Sequence, residues 1–481
     1  MNQLRPINLF FLTILFTLWG CYRDDISQKN YKPTNLSAET ATNNIVTTQI
    51  GQNVQTFIEK KMPSLEKKRI GVNWYWTDFE PTGLYLPANT SITIDVVQVS
   101  GIRLPKLLIG TYSLRTDGPN NSLPREIQLT SGTNIIPGDT KGGILWIRYN
   151  NSYSSGASSV KITFKTGHQK MPIYIKNNTT SQDWYNQLQT YSYSPDVLVI
   201  GDHIYQVYNK NLALKNYNDQ QDINYALNIA DSIWNTENEL SGLDGSSPTN
   251  LPHEYNKCLM SEEIMTWAGG YAYNYVTAYY PGFASYAFSL NNGIGTYNGA
   301  YVVAHEMGHL HQQSAITWST LSEVTNEVFT NYVLKRFNSS SSILAKPTLW
   351  RSESVWPYVK MYLDNNNINK DFNGDIGQYT SKPDYTNHIK VAMFLQLQMA
   401  FGDNFIIELN KRSRTEGAYL NEYSSDADKM RFFMLTSCKI SGKNLTNFFK
   451  KWGFKVSTSV YNEIAILNLP APSIDPTILS E

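Results

Sequence analysis

The chain has 481 residues, and its 40 Lys and Arg residues balance its 40 Asp and Glu residues. This length allows about two to four domains with sizeable cores. The neutral charge balance gives no basic footprint for nucleic acid and no polybasic segment for an anionic membrane surface. Three cysteines, Cys21, Cys258 and Cys438, are too few for a disulfide scaffold or a cysteine-ligated zinc site. The sequence leaves open whether Cys258 and Cys438 pair.

Residues 1–20 have the pattern of a targeting segment, with Arg5 before a short apolar run. The segment LWGC at residues 18–21 resembles a bacterial lipobox and predicts lipidation of Cys21, although a plain secretory signal is the alternative. The polar stretch that follows predicts a flexible tether over residues 21–65. The acidic pair after Cys21 loosely resembles surface-export signals. We therefore expect a lipid-anchored protein of the bacterial outer membrane that faces outward, with a periplasmic orientation left open.

Residues 66–170 alternate between apolar and polar side chains in short segments, such as residues 91–97, 143–149 and 159–164. Turn-forming residues separate these segments, and no helical period interrupts them. Short strands at regular spacing are typical of an all-β sandwich. The sequence therefore predicts an N-terminal β-sandwich domain over residues 66–170.

The pattern changes to a helical period after about residue 180, first over residues 222–240. Two further helices joined by a short loop are predicted at residues 298–313 and 320–337. Later helices are expected at residues 350–363, 384–401, 425–439 and 444–452. We predict a mainly helical α+β domain over residues 171–465, followed by a polar tail over residues 466–481.

The most informative segment is His305-Glu306-Met307-Gly308-His309. Two histidines at positions i and i+4 of a helix project from one face, so their imidazoles can share one metal ion. Zinc suits such ligands, and Glu306 on the adjacent part of that face can take a proton from the attacking water. Two core histidines on an ordinary helix are the alternative. We expect a catalytic zinc site with Glu306 as its base.

A catalytic zinc ion usually has three protein ligands. Gln312 and Ala315 stand where a metzincin would have glycine and histidine, so a glutamate on the following helix is expected. Glu323 and Glu327 are both candidates, one as the ligand and the other as the residue that orients a histidine. Thr320 and Glu323 also have the spacing of a capping box, which would give Glu323 a structural role.

Other candidate residues lie outside this motif. Tyr385 and His388 could stabilise an oxyanion opposite the base, because zincins often use such side chains. His311 lies two residues past the second histidine of the motif and is expected to pack in the core. Residues 369–375 partly match a calcium loop but lack the closing glutamate, so a surface turn is favoured over a Ca²⁺ site.

The segments HEMGHLHQ at residues 305–312 and EVTN at residues 323–326 resemble the M60-like, or enhancin-like, gluzincin peptidases. Residues 81–88 and 444–453 resemble the start of that family's N-terminal sandwich and its closing helix. The resemblance implies that Glu323 is the third zinc ligand. Many members are gut bacterial lipoproteins that act on mucin-type glycoproteins. Glu327 departs from the family, which usually has asparagine there.

This resemblance implies a secreted zinc endopeptidase that hydrolyses peptide bonds in mucin-type O-glycosylated proteins. The expected partners are a glycoprotein or peptide substrate and, through the lipid anchor, the outer membrane. A non-catalytic lipoprotein that binds glycans or mucin is the main alternative, although Glu306 would be superfluous in it. Another zinc hydrolase, such as an aminopeptidase or a sugar deacetylase, is a second alternative.

Overall fold

The computed structural model describes residues 49–113, 123–151, 156–218, 222–253, 257–264, 269–337, 341–349 and 351–481. The predicted signal peptide, Cys21 and most of the predicted tether lie outside the described residues. Within the described part of the chain, no helix is both long enough and apolar enough to cross a membrane.

The first part of the described chain is rich in strands. It contains β1 (Val54–Ile58), β2 (Lys60–Lys61), α1 (Pro63–Ile70), β3 (Phe79–Leu86), β4 (Ile92–Ser100), β5 (Lys106–Ile109), β6 (Arg125–Gln128), β7 (Gly132–Ile136), β8 (Gly143–Arg148), β9 (Asn150–Asn151), β10 (Ser159–Thr166) and β11 (Gln169–Lys170). One antiparallel sheet has the order β1-β10-β4-β7, and a second has the order β11-β3-β8-β5-β6. We call this part the two-sheet domain.

The inner faces of these two sheets enclose one apolar core, in which Ile94 and Ile162 of the first sheet meet Leu107 and Leu145 of the second. The alternating pattern of the strands produces this core, since successive side chains point to opposite faces. β1 differs from the prediction, because it pairs with β10 at the edge of a sheet instead of belonging to the tether. Its inward side chains are Gln55 and Phe57, whereas Val54 and Ile58 are exposed, so its apolar residues do not mark the buried face.

The second part contains a sheet and most of the helices. Its strands are β12 (Ile173–Ile175), β13 (Asp196–Ile200), β14 (Ile204–Asn209), β15 (Cys258–Glu262), β16 (Gly270–Tyr273) and β17 (Val276–Tyr279). Its helices are α2 (Ser181–Thr190), α3 (Lys210–Asn218), α4 (Ile223–Ser241), α5 (Pro281–Phe288), α6 (Tyr297–His309), α7 (Thr325–Arg336), α8 (Trp356–Asp364), α9 (Thr386–Phe401), α10 (Asp403–Thr415), α11 (Asp426–Ser441), α12 (Thr446–Lys451) and α13 (Thr458–Ile466).

The six strands form a mixed sheet in the order β12-β13-β14-β15-β17-β16. One face, including Leu198 and Leu259, packs against Trp146 of the two-sheet domain. The opposite face, including Val199, packs against the helices. The sheet therefore lies between the two-sheet domain and the helical layer. The expected β-rich N-terminal domain is confirmed, and the second domain combines helices with strands, as the predicted mixture of α and β elements requires.

The helices around the metal motif differ from the predicted ranges. α6 begins at Tyr297, close to the predicted start, but ends at His309, where Leu310 closes the helix. α7 begins at Thr325 instead of residue 320, because residues 318–324 form a series of turns. Glu323 therefore lies on the turn before the helix and not on the helix itself.

The C-terminal residues pack on the second domain, where the sequence predicted a polar tail. The Gln396 side chain on α9 donates hydrogen bonds to the carbonyl oxygens of Thr477 (3.0 Å) and Leu479 (3.1 Å). These contacts are non-local, so composition alone does not indicate them. Cys258 and Cys438 are both buried and free, so they do not pair with each other.

Candidate metal centre

The metal motif lies on α6, a mostly buried helix. The Thr296 side chain caps its N-terminus by accepting a hydrogen bond from the Gly299 amide (3.1 Å). The apolar residues of the helix pack into the core, while His305 and His309 remain partly exposed. His305, Glu306 and His309 form a group that could hold a metal ion, and no other such group was found among the described residues.

Glu323 meets both imidazoles. Its Oε2 atom lies 3.2 Å from His305 Nε2 and 3.5 Å from His309 Nε2. The Glu323 side chain is 50% exposed, so solvent reaches it. The capping alternative is excluded, because α7 has Val324 at its N-cap position and no side-chain cap. Burial favours the neutral acid, but the two histidines hold the pKa of Glu323 well below its ordinary value.

Glu327 lies behind His305, on the opposite side of the ring from Glu323. Its Oε1 atom is 3.1 Å from His305 Nδ1, and the Tyr301 hydroxyl donates a hydrogen bond to the same oxygen. This contact fixes the ring so that Nε2 points toward Glu323. The i, i+4 spacing of Tyr301 and His305 on α6 was available in the sequence, but the sequence analysis did not single out Tyr301.

Gln312 orients His309 in the way that Glu327 orients His305. Its Oε1 atom lies 3.0 Å from His309 Nδ1. Its amide nitrogen donates to the Ser322 carbonyl oxygen and to the Thr325 hydroxyl, both at 2.7 Å. One side chain thus joins a histidine of the motif to the turn that carries Glu323. The sequence analysis used Gln312 only to exclude a metzincin, since its contacts depend on a loop that local patterns do not define.

Glu306 is buried beside the edge strand β16. A Cβ atom at Gly270 on this strand would lie 2.9 Å from Glu306 Oε1, so the absence of a side chain there makes room for the carboxyl. Burial raises the pKa of Glu306 above its ordinary value, and His305 and His309 offset part of that rise. A raised pKa suits a carboxylate that must take up and release a proton near neutral pH.

The close approach of α6 and α7 depends on Gly308. A Cβ atom there would lie 2.8 Å from the Asn326 carbonyl oxygen. This approach brings the Asn326 side chain beside both imidazoles, with its amide nitrogen 3.2 Å from His305 Nε2 and 3.1 Å from His309 Nε2. The glycine of the motif therefore allows α7 to approach the histidines.

His388 lies near this centre, whereas Tyr385 packs next to it. Burial, and then Arg351, lowers the pKa of His388 to about 4, while the charges of Glu327 and His305 also act on it. The Tyr385 ring packs on the His388 ring with 5.9 Å between centroids. The oxyanion role of either residue stays a prediction.

Two further predicted features lie away from the centre. His311 is fully buried against Trp76 and Trp234, and its Nε2 atom lies 3.5 Å from a carboxylate oxygen of Glu237. Burial lowers the pKa of His311 to about 3, so it is a neutral core residue. In the segment considered for calcium, the side-chain oxygen of Asn373 accepts a hydrogen bond from the Trp318 indole (2.7 Å).

The donor set fits zinc. Ligand atoms at the corners of a tetrahedron with bonds of about 2.0–2.1 Å lie about 3.3 Å apart, close to the spacing of Glu323 Oε2 from the two Nε2 atoms. Two imidazoles and one carboxylate are common protein ligands of a catalytic zinc ion. The second nitrogen of each ring faces an acceptor, as such sites require. These features define a metal centre of the zinc-hydrolase class.

Comparison with known proteins gives the family. The family described as "Peptidase M60, enhancin and enhancin-like" matches residues 167–453, which is more than half of the chain. The N-terminal domain of M60-like peptidases matches residues 61–163. The chain therefore belongs to the M60 peptidase family, and the family resemblance seen in the sequence is confirmed.

Curated relatives are distant. TRPM8 channel-associated factor 3 of Mus musculus is 24% identical over 80% of this chain and 39% of its own length. The putative lipoprotein AcfD homolog of Escherichia coli (strain K12) is 22% identical over 85% of this chain and 29% of its own length. The chain thus spans well under half the length of these relatives.

Solved structures share the fold. A conserved Bacillus anthracis protein of unknown function has a TM-score of 0.73 at 24% identity, covering 89% of this chain and 81% of that one. A metallopeptidase from Bacteroides thetaiotaomicron has a TM-score of 0.70 at 19% identity, covering 89% and 72%. A metallopeptidase in complex with Tn antigen has a TM-score of 0.71 at 18% identity, covering 89% and 80%.

Proposed function

We propose that this protein is a secreted zinc-dependent endopeptidase that hydrolyses peptide bonds in mucin-type O-glycosylated proteins. The observation that carries the proposal is the convergence of His305, His309 and Glu323 beside the buried carboxyl of Glu306. A purely structural zinc site would be closed by a fourth protein ligand and would need no base.

The residues divide the chemistry among them. Zinc, when bound by His305, His309 and Glu323, acts as a Lewis acid that polarises the scissile carbonyl. Glu306 accepts the proton of the attacking water and passes it to the leaving amine, which requires a carboxyl that exchanges protons readily. Glu327 keeps His305 in the orientation for metal binding. Its charge also favours the metal-bound form of the ring.

The edge strand β16 offers a place for the substrate backbone. Among the described strands β16 pairs only with β17, and Gly270 at its start lies beside Glu306. An extended peptide can add to such an edge through main-chain hydrogen bonds. A substrate that continues past the base in both directions is cut internally, which favours an endopeptidase over an aminopeptidase.

The proposed substrate class and the proposed location of the protein are supported by a structural neighbour and by the N-terminal sequence. A structural neighbour was solved with Tn antigen, a carbohydrate antigen of O-glycosylated proteins, which supports a glycoprotein substrate. The lipobox-like segment before Cys21 supports export and anchoring at the outer membrane, facing outward. We retain the β-sandwich assignment for the two-sheet domain, with β1 added at its edge, and the zincin-type assignment for the second domain, with the C-terminal residues added to it.

The test compares cleavage of a mucin-type O-glycoprotein by the soluble chain that starts after Cys21 and by its Glu306→Gln variant. Internal cleavage by the parent should disappear in Glu306→Gln and after chelation, and should return when zinc is added. Glu416→Gln is the matched control, since Glu416 is a glutamate on the surface that pairs with Arg412 and Lys439.

Fragment masses distinguish the alternatives. Single released residues would indicate an aminopeptidase, and released acetate would indicate a deacetylase. Binding of the glycoprotein by a zinc-loaded parent that cuts no bond in it would overturn the proposal in favour of the non-catalytic binding lipoprotein.

A further inference from the structure

Arg351 is a buried cation whose hydrogen-bond donors are only partly used. The residue is 3% exposed. Its Nη2 atom donates a hydrogen bond to the Ile343 carbonyl oxygen (2.6 Å), whereas Nε and Nη1 meet no acceptor among the described residues. An arginine stays charged in a protein, and burial of a charged group with unused donors is unfavourable. These two nitrogen atoms therefore point to a further acceptor in the interior.

The loop that carries Arg351 packs on the helix that carries Glu327. The amide of Ile343, whose carbonyl oxygen accepts from Arg351, donates to Asn331 Oδ1 (3.0 Å). Asn331 lies four residues after Glu327 on α7, so both side chains lie on one face of that helix. Burial and Glu327 raise the pKa of Tyr301, which donates to Glu327, and the charge of Arg351 offsets part of that rise. Arg351 therefore lies on the Glu327 side of the metal centre.

Two acceptor atoms in the same region also lack partners. Glu327 uses Oε1 for His305 and Tyr301, but its Oε2 atom has no partner among the described residues. On α9, the buried Nδ1 atom of His388 likewise has none. Burial, followed by Arg351, lowers the pKa of His388 to about 4, so the ring is neutral and one of its nitrogens is an acceptor. Glu327 acts on the same ring, so the three side chains lie close together.

The unused donors and acceptors of these side chains match one water molecule. Arg351 offers two donors, and Glu327 and His388 offer one acceptor each when the His388 proton is on Nε2. A water molecule accepts two hydrogen bonds and donates two, and buried waters usually bond to polar groups that have no other partner. An anion would satisfy Arg351 alone and would be repelled by the Glu327 carboxylate. Water is therefore the ligand that fits.

We propose that a buried water molecule joins Arg351 and His388 to Glu327, and that Arg351 is thereby a positioning residue of the metal centre. The bridge holds Oε2 of Glu327, so that Oε1 stays on His305 Nδ1. Arg351 acts through Glu327 and contacts neither the metal nor the substrate. The inference rests on the proposed function in one respect, because the orientation of the His305 ring matters only if His305 binds zinc.

The test has a structural part and a binding part. A crystal structure of the zinc-loaded chain should show a water molecule within about 3.2 Å of Arg351, Glu327 and His388. In chelator competition, Arg351→Met should lower zinc affinity about tenfold, as loss of an orienting contact does. In a Glu327→Leu background the same change should alter the zinc Kd less than about twofold, because the contact through which it acts is gone. Arg148→Met is the control, since Arg148 is a largely buried arginine that pairs with Asp78 in the two-sheet domain.

A direct contact between Arg351 and Glu327, or an interior without water at this point, would overturn the bridge. Equal losses of zinc affinity from Arg351→Met in the two backgrounds would overturn the action through Glu327, as would a similar loss in Arg148→Met. If Arg351→Met does not fold, Arg351→Lys and Arg351→Gln are compared in the same two backgrounds, and Lys, which keeps a charged donor, should bind zinc more tightly than Gln.

Cleavage by the parent is measured separately. Glu306-dependent cleavage by a protein that lacks the water bridge contradicts this inference alone. A water bridge that supports zinc binding in a protein that cuts no peptide bond contradicts the proposed function alone.

Discussion

Gln312 provides a sharp test of how the metal centre is held together. Its side chain accepts from one proposed ligand, His309, and donates to the turn that carries another, Glu323. Gln312→Ala removes both contacts without changing any charge. Loss of a residue that orients a metal ligand typically lowers metal affinity about 10- to 100-fold, or about 1.4–2.7 kcal/mol. We expect the upper part of this range, because two ligands lose their support together.

The measurement is competition for zinc between the protein and a chromogenic chelator of known affinity. Gln313→Ala is the matched control, because Gln313 is the neighbouring buried glutamine and donates to the His311 carbonyl oxygen, not to a metal ligand. Thermal unfolding of both metal-free variants separates a folding defect from a loss of affinity. We expect similar melting temperatures for the two metal-free variants and a zinc Kd raised only in Gln312→Ala.

The reasoning is refuted if Gln312→Ala binds zinc as tightly as the parent. It is also refuted if Gln313→Ala loses as much affinity, because the effect would then come from disruption of the loop.

Three further results are expected. Glu323→Gln should lower zinc affinity at least about tenfold more than Glu327→Gln does. Glu323→Gln removes a proposed anionic ligand, whereas Glu327→Gln alters only a contact that orients His305. The same chelator competition measures both variants. Chelation should lower the melting temperature by several degrees, because zinc at 100 times its Kd stabilises the folded state by about 2.7 kcal/mol. Differential scanning calorimetry before chelation, after it and with zinc restored measures this change. Burial and Glu262 raise the pKa of Asp196 from 3.8 to about 7, so the folded protein holds the carboxyl proton of Asp196 more tightly than the unfolded chain does. The folded protein therefore loses stability as the pH rises from 3.8 to about 7. Asp196→Asn should therefore gain stability relative to the parent between pH 4 and pH 8, on the order of 2 kcal/mol for a partly buried group, as measured by urea unfolding.

Each of these has a contrary outcome. Equal zinc affinities of Glu323→Gln and Glu327→Gln would remove Glu323 from the ligand set. An unchanged melting temperature after complete zinc removal would mean that the metal does not stabilise the fold. A stability difference between Asp196→Asn and the parent that stays constant with pH would show that Asp196 has an ordinary pKa in the folded protein.

The sequence predicted the motif helix well because its determinants are local. The two histidines, the base and the apolar residues between them lie within one helical period. The start of α7 was misplaced because Thr320 and Glu323 imitate a capping box. α7 begins at Thr325 instead, where the Thr325 hydroxyl forms hydrogen bonds with the side chains of Gln312 and Thr317. These contacts are not local in sequence, so the pattern around residue 320 does not reveal them.

The mixed sheet could not be located from periodicity. β13 reads Asp196-Val197-Leu198-Val199-Ile200, and its apolar residues are buried on both faces. A strand covered on both sides loses the alternation that identifies a half-exposed strand. The strands of the two-sheet domain keep this alternation between buried and exposed side chains, and they were predicted for that reason.

The loop after α6 is held by contacts with residues that precede β3. The Trp76 indole donates to the Leu310 carbonyl oxygen (3.1 Å), the Ser314 amide donates to the Gly71 carbonyl oxygen (2.7 Å), and Val72 forms a β-bridge with Gln313. The segment from α1 to β3 thus holds the loop that contains Gln312, which in turn orients His309. A chain beginning at residue 167, where the peptidase match begins, would lack this support. The residues that support the proposed zinc ligands therefore extend into the segment that precedes β3, so we expect the two matched parts to act as one unit in metal binding.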